Sequence, residues 1–318
     1  AQCRAMCYAA IKARLDAGEV LLLDGGVGTE LERRGVAMDP AAWCGTATLG
    51  NDALLTKIHL DYAHAGSDVI TANTFASSRV MLGAAGYADQ TLEINNRAVE
   101  AALLAQSQLA EEGRTVAVAG SLSHLMPMIE GTATVDPSLV PSPEAIGEAF
   151  AEQATILKAA GADLILLEMM YEPGRAALAV EAALSVGLPV WFGLSARRGE
   201  DGSAVAFHHF EDIPLDEIAR LIPATGVDVA GVMHTPSELV SESLLAVRER
   251  FAGPMSVYPD SGHFEMPGWR FVDIIDPDVL EEFYATWMQH GARVLGGCCG
   301  LTVPHIEAAA RARAAFTT

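Results

Sequence analysis

Eight short apolar runs, each followed by a longer amphipathic stretch, leave this chain few ways to fold. The runs are Val20–Asp24, Asp68–Ala72, Thr115–Ala119, Asp163–Glu168, Pro189–Leu194, Val227–Val232, Pro254–Tyr258 and Ala292–Gly296. They are rich in Val, Ile and Leu and mostly free of polar alternation, as strands buried on both faces are. The amphipathic stretches are Asn51–Ala65, Ala88–Glu112, Pro143–Ala160, Gly174–Val186, Pro214–Ile222, Pro236–Phe251 and Pro277–His290, with a last helix from Val303 to about Ala315. Several open on helix-start signals, such as Asn51-Asp52 and Ser142-Pro143-Glu144. Strict alternation of this kind predicts an α/β chain folded as a (β/α)8 TIM barrel, one domain over residues 1–318. The alternative is a doubly wound open sheet, with about five to seven strands and a phosphate-binding turn after the first. Here that turn reads Asp24-Gly25-Gly26-Val27-Gly28-Thr29-Glu30, which fits neither GxGxxG nor a following GK[ST].

The longest stretches read as non-helical are Val27–Gly50, Gly120–Ser142, Ser195–Ile213 and Pro259–Asp276. All follow predicted strands, and a barrel builds its site from such loops. The strands end on Asp24, Asn73, Ser121, Glu168, Ser195, His234, Asp260 and the pair Cys298-Cys299. One such residue is often a turn-former or cap. Eight in register predict a site, in which Asn73, Ser195 and Asp260 are expected to touch substrate.

The net charge of −21, from 41 acidic and 20 basic residues, repels phosphate backbones, so no nucleic-acid partner is expected. No purely apolar run of 18 residues suggests a membrane span, and no signal peptide is read at the start. Five cysteines are too few and too unevenly placed for a secreted disulfide scaffold, so the cytoplasm is the expected location.

The sharpest local feature is Gly296-Gly297-Cys298-Cys299-Gly300. Adjacent cysteines on a glycine-flanked turn can both reach one metal where the backbone bends. Zinc accepts Cys sulfur and His nitrogen, and a catalytic site leaves its fourth position to substrate. His234, at the end of the sixth strand, is the natural third ligand. The plainer alternative is two cysteines packed as small apolar residues. His208-His209 in the fifth-strand loop, and His124, are expected to cap loops or face solvent. Trp43, Phe75, Tyr258 and Trp269 are candidates to flank a cationic ligand, or ordinary packing.

The chain resembles the homocysteine S-methyltransferases, zinc-dependent (β/α)8 enzymes, nearly end to end. Leu22-Leu23-Asp24-Gly25-Gly26-Val27-Gly28-Thr29-Glu30-Leu31 is similar to the family's first-strand motif, and Ala65 to Phe75 to its second. Tyr258-Pro259-Asp260-Ser261-Gly262 resembles its seventh-strand Tyr-Pro-Asn-Ser-Gly, and Gly296 to Gly300 its metal motif, with Pro304-His305-Ile306 trailing. The resemblance implies that Cys298 and Cys299 bind Zn2+ and that Asp24 and Glu168 hold the amino group of an amino-acid thiol. It also implies methyl transfer from a small onium donor to that thiol, most simply homocysteine giving methionine. A sulfonium such as S-methylmethionine is favoured over betaine.

Three departures stand out. The family's third zinc ligand is a Cys after the sixth strand, and here Gly231-Val232-Met233-His234 puts a histidine there. The options are a Cys2His zinc site or a metal-free descendant. The third-strand loop, Ser121 to Gly131, lacks a Gly-Pro-Tyr-type pattern, and Met169-Met170 follows Glu168 where Thr or Tyr is usual. The alternatives are therefore a methyltransferase acting on another thiol or donor in a catabolic pathway, or a non-catalytic ligand-binding barrel.

Overall fold

In a computed structural model, which describes residues 2–132, 134–266 and 270–316 with side chains from residue 7 onward, the eight runs form one parallel sheet closed on itself. Its strands are β1 (Leu21–Leu22), β2 (Val69–Ala72), β3 (Ala117–Ser123), β4 (Leu164–Met170), β5 (Val190–Leu194), β6 (Val227–Pro236), β7 (Met255–Asp260) and β8 (Ala292–Leu295). Neighbours in sequence pair in parallel from β2 round to β8, and β8 pairs with β1. A Leu23–Val69 bridge completes the ring. The helices that follow the strands are α1 (Asp52–Ala65), α2 (Thr91–Glu111), α3 (Pro143–Ala160), α4 (Pro173–Ser185), α5 (Leu215–Ala219), α6 (Ser237–Arg248), α7 (Pro277–Gln289) and α8 (Val303–Ala315).

Local chemistry sets several of these boundaries. Ser142 caps α3 by accepting the Ala145 N–H at 3.3 Å, Pro143 fits the first helical position, and Gly161 ends the helix at φ +105°. Asp276 caps α7 in the same way. At the start of α8, Thr302 donates its N–H to His305 Nδ1 at 3.0 Å, which leaves His305 Nε2 to donate to the Ile275 carbonyl at 2.9 Å. That pair ties the last helix to the loop after β7.

Elements missing from the sequence reading fill the barrel's two ends. A helix over Gln2–Asp16 lies at the starts of the strands, with Ile11 and Leu15 buried. Its Tyr8 hydroxyl donates to Asp228 at 2.6 Å and accepts from Trp191 Nε1 at 3.0 Å. Asp68, just before β2, takes the Leu22 N–H together with Arg14 from this helix and Arg313 from α8. One carboxylate thus clamps the β1–β2 seam and both terminal helices. At the other end, Val27–Gly50 is not wholly non-helical: it contains a helix at Val27–Arg33 and a 3-10 turn at Gly45–Thr48. The Ser195–Ile213 and Pro259–Asp276 loops carry the hairpins Ala196–Arg198/Ala204–Ala206 and His263–Glu265/Arg270–Val272. The third strand also runs later than Thr115–Ala119, because Ser121 and Ser123 find buried partners that admit polar residues to the sheet. Among the described residues no helix is long and apolar enough to cross a membrane.

Candidate active site

The loops after the strands surround two cavities that share a wall. The smaller is lined by Asp24, Thr71, Asn73, Glu168, Tyr258 and Cys298, among others. The larger, about 570 Å³, carries six aromatic side chains: Trp43, Phe75, Tyr171, Phe207, Phe264 and Phe271. Trp43, Phe75, His234 and Cys299 line both.

The metal-ligand candidates converge on that wall. Cys298 Sγ lies 3.9 Å from Cys299 Sγ and 3.7 Å from His234 Nδ1. A ligand atom from each of the three lies within 4.8 Å of the others. A four-coordinate ion bound by thiolate and imidazole needs ligand–ligand edges of about 3.5–3.8 Å, and both edges at Cys298 are close to that, so the three residues can close on an ion by small side-chain movements. Two backbone features hold it. Gly26 packs so close to the Cys298 carbonyl that a Cβ there would lie 2.7 Å from it, which explains a glycine after Asp24-Gly25. His234 sits at φ +42°, where the β6–β7 register shifts between Met233 and Pro236. Histidine is among the residues that tolerate this left-handed region, and the break in the ladder turns residue 234 out of the strand's alternation. The Phe207 ring stands edge-on to the imidazole at 4.8 Å between centroids. Burial opposes a charge on His234, but Asp260, Cys298 and Glu168 outweigh it and push its pKa up to about 9. An ion entering the group therefore displaces a proton. Contact with the Cys299 thiol, together with burial, holds Cys298 well above the usual thiol range.

Asp24 and Glu168 face the smaller cavity together, from strands one and four. Asp24 accepts the Thr71 N–H at 2.6 Å and the Thr71 hydroxyl at 2.8 Å. Glu168 accepts the Ser121 hydroxyl. Burial pushes both carboxyls up to about 7, and Asp24 adds to the rise at Glu168. For Glu168 the unfolded chain has lost this proton above about 4.5 while the folded chain keeps it to about 7. Stability therefore falls as pH rises through that window. Glu168→Gln retains an acceptor for Ser121 and removes the charge. Its melting temperature relative to the parent is expected to be higher at pH 8 than at pH 5, and parallel melting curves across that range would contradict this.

The other expected residues divide. Asn73 lines the smaller cavity, but its amide donates to the Cys44 carbonyl at 2.9 Å and to Thr48 Oγ1 at 3.2 Å, tying the first loop to β2. Asp260 lines the larger cavity. Ser195 lines neither: fully buried, its hydroxyl turns to the Met233 sulfur at 3.1 Å, so the expected substrate contact is not made. His208 caps its loop by accepting the N–H groups of Phe210 and Glu211. His124 Nε2 accepts those of Tyr171 and Glu172. His209 lines the larger cavity, while Tyr258 lines the smaller one alone. Trp269 lies outside the described residues. Thr71 and the rings of Tyr171, Phe207, Phe264 and Phe271 were not legible as site residues. For Thr71 the signal was its place two residues before Asn73, on the same side of β2.

A model of the homocysteine S-methyltransferase family matches residues 21–313. Homocysteine S-methyltransferase 4 of Zea mays is 27% identical, over 93% of this chain and 90% of its own. The homocysteine S-methyltransferase of Escherichia coli (strain K12) is 28% identical, over 94% and 96%. Among solved structures, the homocysteine methyltransferase MmuM from Escherichia coli in its metallated form superposes with a TM-score of 0.74 at 25% identity, covering 94% of this chain and 98% of its own.

Proposed function

The chain belongs to the homocysteine S-methyltransferase family, and from that premise we propose that residues 1–318 act as one barrel that moves a methyl group from a small sulfonium, S-methylmethionine in the simplest case, to homocysteine. Methyl transfer to a thiol is the chemistry of the family. Zinc is the ion proposed for Cys298, Cys299 and His234, a Cys2His set with one position left for substrate. The observation that carries this reading is the common wall of the two cavities. Trp43, Phe75, His234 and Cys299 line both, so an acceptor in one and a donor in the other would meet beside the metal ligands. The non-catalytic alternative is not favoured, because the three ligand atoms are already gathered.

The chain's own residues account for binding and orientation. Asp24 and Glu168 would take the acceptor's ammonium group, whose charge draws both carboxyls into their ionised forms. Thr71 and Ser121 hold the two carboxylates in place. With the amine fixed, the thiol end would reach Cys298, Cys299 and His234, which line the same small cavity. Zinc bound there would lower the thiol's pKa and present it as a thiolate. The thiol proton leaves to solvent, a sulfur–methyl bond forms, and the donor's sulfonium–methyl bond breaks with its electron pair returning to the donor sulfur. The test is metal analysis of the purified protein, followed by a transfer assay with homocysteine and either S-methylmethionine or betaine. Absence of transfer from both donors to a metal-loaded protein would refute the reading.

His234 also bears on donor choice. Two thiolates and a neutral imidazole leave a divalent centre with no net charge, whereas three thiolates make it −1. With zinc bound, the neutral set would depress the thiol's pKa further and make it the weaker nucleophile, with a slope of about 0.4–0.5. A donor with a good leaving group compensates, which favours a sulfonium over a quaternary ammonium. His234→Cys is expected to speed methyl transfer to the bound thiolate from a given donor by about threefold for each unit by which the thiol pKa rises. It should also raise that pKa in a direct titration of bound thiolate absorbance. An unchanged transfer rate and an unchanged titration would together dismiss the electronic argument.

A further inference from the structure

We infer that the Tyr258 hydroxyl is the third hydrogen-bond partner of the acceptor's amino group, so that the smaller cavity selects a thiol with a primary ammonium over one whose nitrogen is alkylated. The inference rests on the reading that Asp24 and Glu168 hold that amine. It adds a residue and a selectivity that the two carboxylates alone do not supply.

The hydroxyl is buried and unpartnered where a ligand would lie. Tyr258 is 1% exposed and lines the smaller cavity with Asp24 and Glu168. Its oxygen makes no hydrogen bond among the described residues. By contrast, the buried hydroxyls of Tyr62 and Tyr284 donate to the carbonyls of Gly26 and Gly296. A buried hydroxyl without a partner is costly, because its lost contact with water is not replaced. The barrel also makes room for this one. A Cβ on Gly193 would lie 2.5 Å from the Tyr258 oxygen, so only a glycine in β5 admits it. The ring therefore reaches from β7 past β6 to β5. Gly193 lies level with Glu168, between the Leu167–Phe192 and Met170–Leu194 pairs of the β4–β5 ladder. Burial holds the hydroxyl's pKa well above its ordinary value, and the charges that add to this are those of Glu168, Cys298 and Asp24, its neighbours around the cavity.

An ammonium group suits this arrangement. It offers three N–H donors. Asp24 and Glu168 take two of them, and the phenol oxygen takes the third. A hydroxyl is acceptor and donor at once, so its own proton can turn to a carboxylate while it accepts from the amine. Alkylation of the nitrogen removes one donor. The two carboxylates could still hold such a secondary ammonium by its two N–H groups, but Tyr258 would face a methyl group and stay unpaired. A site built to bond an N–H rejects the analogue that lacks it, because the site's own buried polar group is then left without a partner.

Three thiols provide the test, read by titration calorimetry on the metal-loaded protein without methyl donor: homocysteine, N-methylhomocysteine, and 4-mercaptobutanoate, which is homocysteine without its amine. The parent is expected to bind homocysteine about tenfold more tightly than N-methylhomocysteine, the difference that one hydrogen bond to a charged group makes. Tyr258→Phe should weaken homocysteine about tenfold and leave the other two within about twofold, so that primary and N-methyl amines bind nearly alike. The substitution removes one oxygen that bonds nothing among the described residues, so the melting temperature should hold. Equal binding of homocysteine and N-methylhomocysteine by the parent, which needs no variant to fold, would overturn the assignment. An equal loss of all three thiols in Tyr258→Phe would do the same. If the parent bound 4-mercaptobutanoate as tightly as homocysteine, the amine reading of Asp24 and Glu168 would fall and this inference with it. If the parent preferred homocysteine to the amine-free thiol but Tyr258→Phe still favoured the primary over the N-methyl amine, the carboxylates would keep their role and Tyr258 would lose its own.

Discussion

Cys299→Ser is expected to purify with less than about a tenth of an equivalent of metal and to lose thiol methyl transfer by about three orders of magnitude. The reason is ligand count. A catalytic site with three protein ligands has none to spare, and a serine hydroxyl stays protonated where a thiolate would bind. Cys299 is 8% exposed and close in size to serine, so the turn it occupies should survive. The measurement is metal content by elemental analysis beside the transfer rate, with a melting curve to show that the barrel is intact. Full metal content in Cys299→Ser would remove this residue from the ligand set.

Asp24→Asn is expected to raise KM for homocysteine about 100-fold, because a buried carboxylate that meets an ammonium group contributes on the order of 2–5 kcal/mol when its partner is present. Burial supplies a pH signature as well. Asp24 and Glu168 are both pushed up to about 7. At pH 6 they are mostly neutral and hold an ammonium poorly, and by pH 8 they are mostly charged. Affinity for an aminothiol should therefore rise with pH through about 7. A thiol of similar length without the amine should rise less steeply, since only the loss of its sulfur proton at the metal group then depends on pH. Asp24→Asn should flatten the curve for the aminothiol. Equal pH dependence for thiols with and without the amine would show that the two carboxylates do not read it.

How much of this the sequence disclosed depended on whether local chemistry and tertiary structure agreed. The helix at Pro143–Ala160 was legible to the residue, because Ser142-Pro143 announces its start, and the last helix was placed from Val303 to about its observed end at Ala315. The helix at Val27–Arg33 was not. It opens on Val-Gly-Thr, poor helix formers, and its first five residues are all buried, so no polar face gives the period away. Strand three read short because Ser121 and Ser123 look like loop residues until their partners, Glu168 and the Phe75 carbonyl, are brought alongside. The metal group was legible through Gly296 to Gly300 and the strand-end position of His234. Ser195 shared that position, just after β5, but its side chain turns toward Met233. The rings of the larger cavity come from loops after several different strands, with no spacing to connect them, and only the closed barrel assembles them.

The wall of Trp43, Phe75, His234 and Cys299 has a kinetic meaning beyond the meeting of two cavities. With acceptor and donor meeting there, and Cys299 and His234 engaged as metal ligands, the methyl carbon would pass from one to the other directly. Both partners must be aboard at once, so reciprocal plots of rate against each substrate should intersect rather than run parallel. A methyl group made chiral with hydrogen isotopes would then arrive inverted, having been displaced a single time.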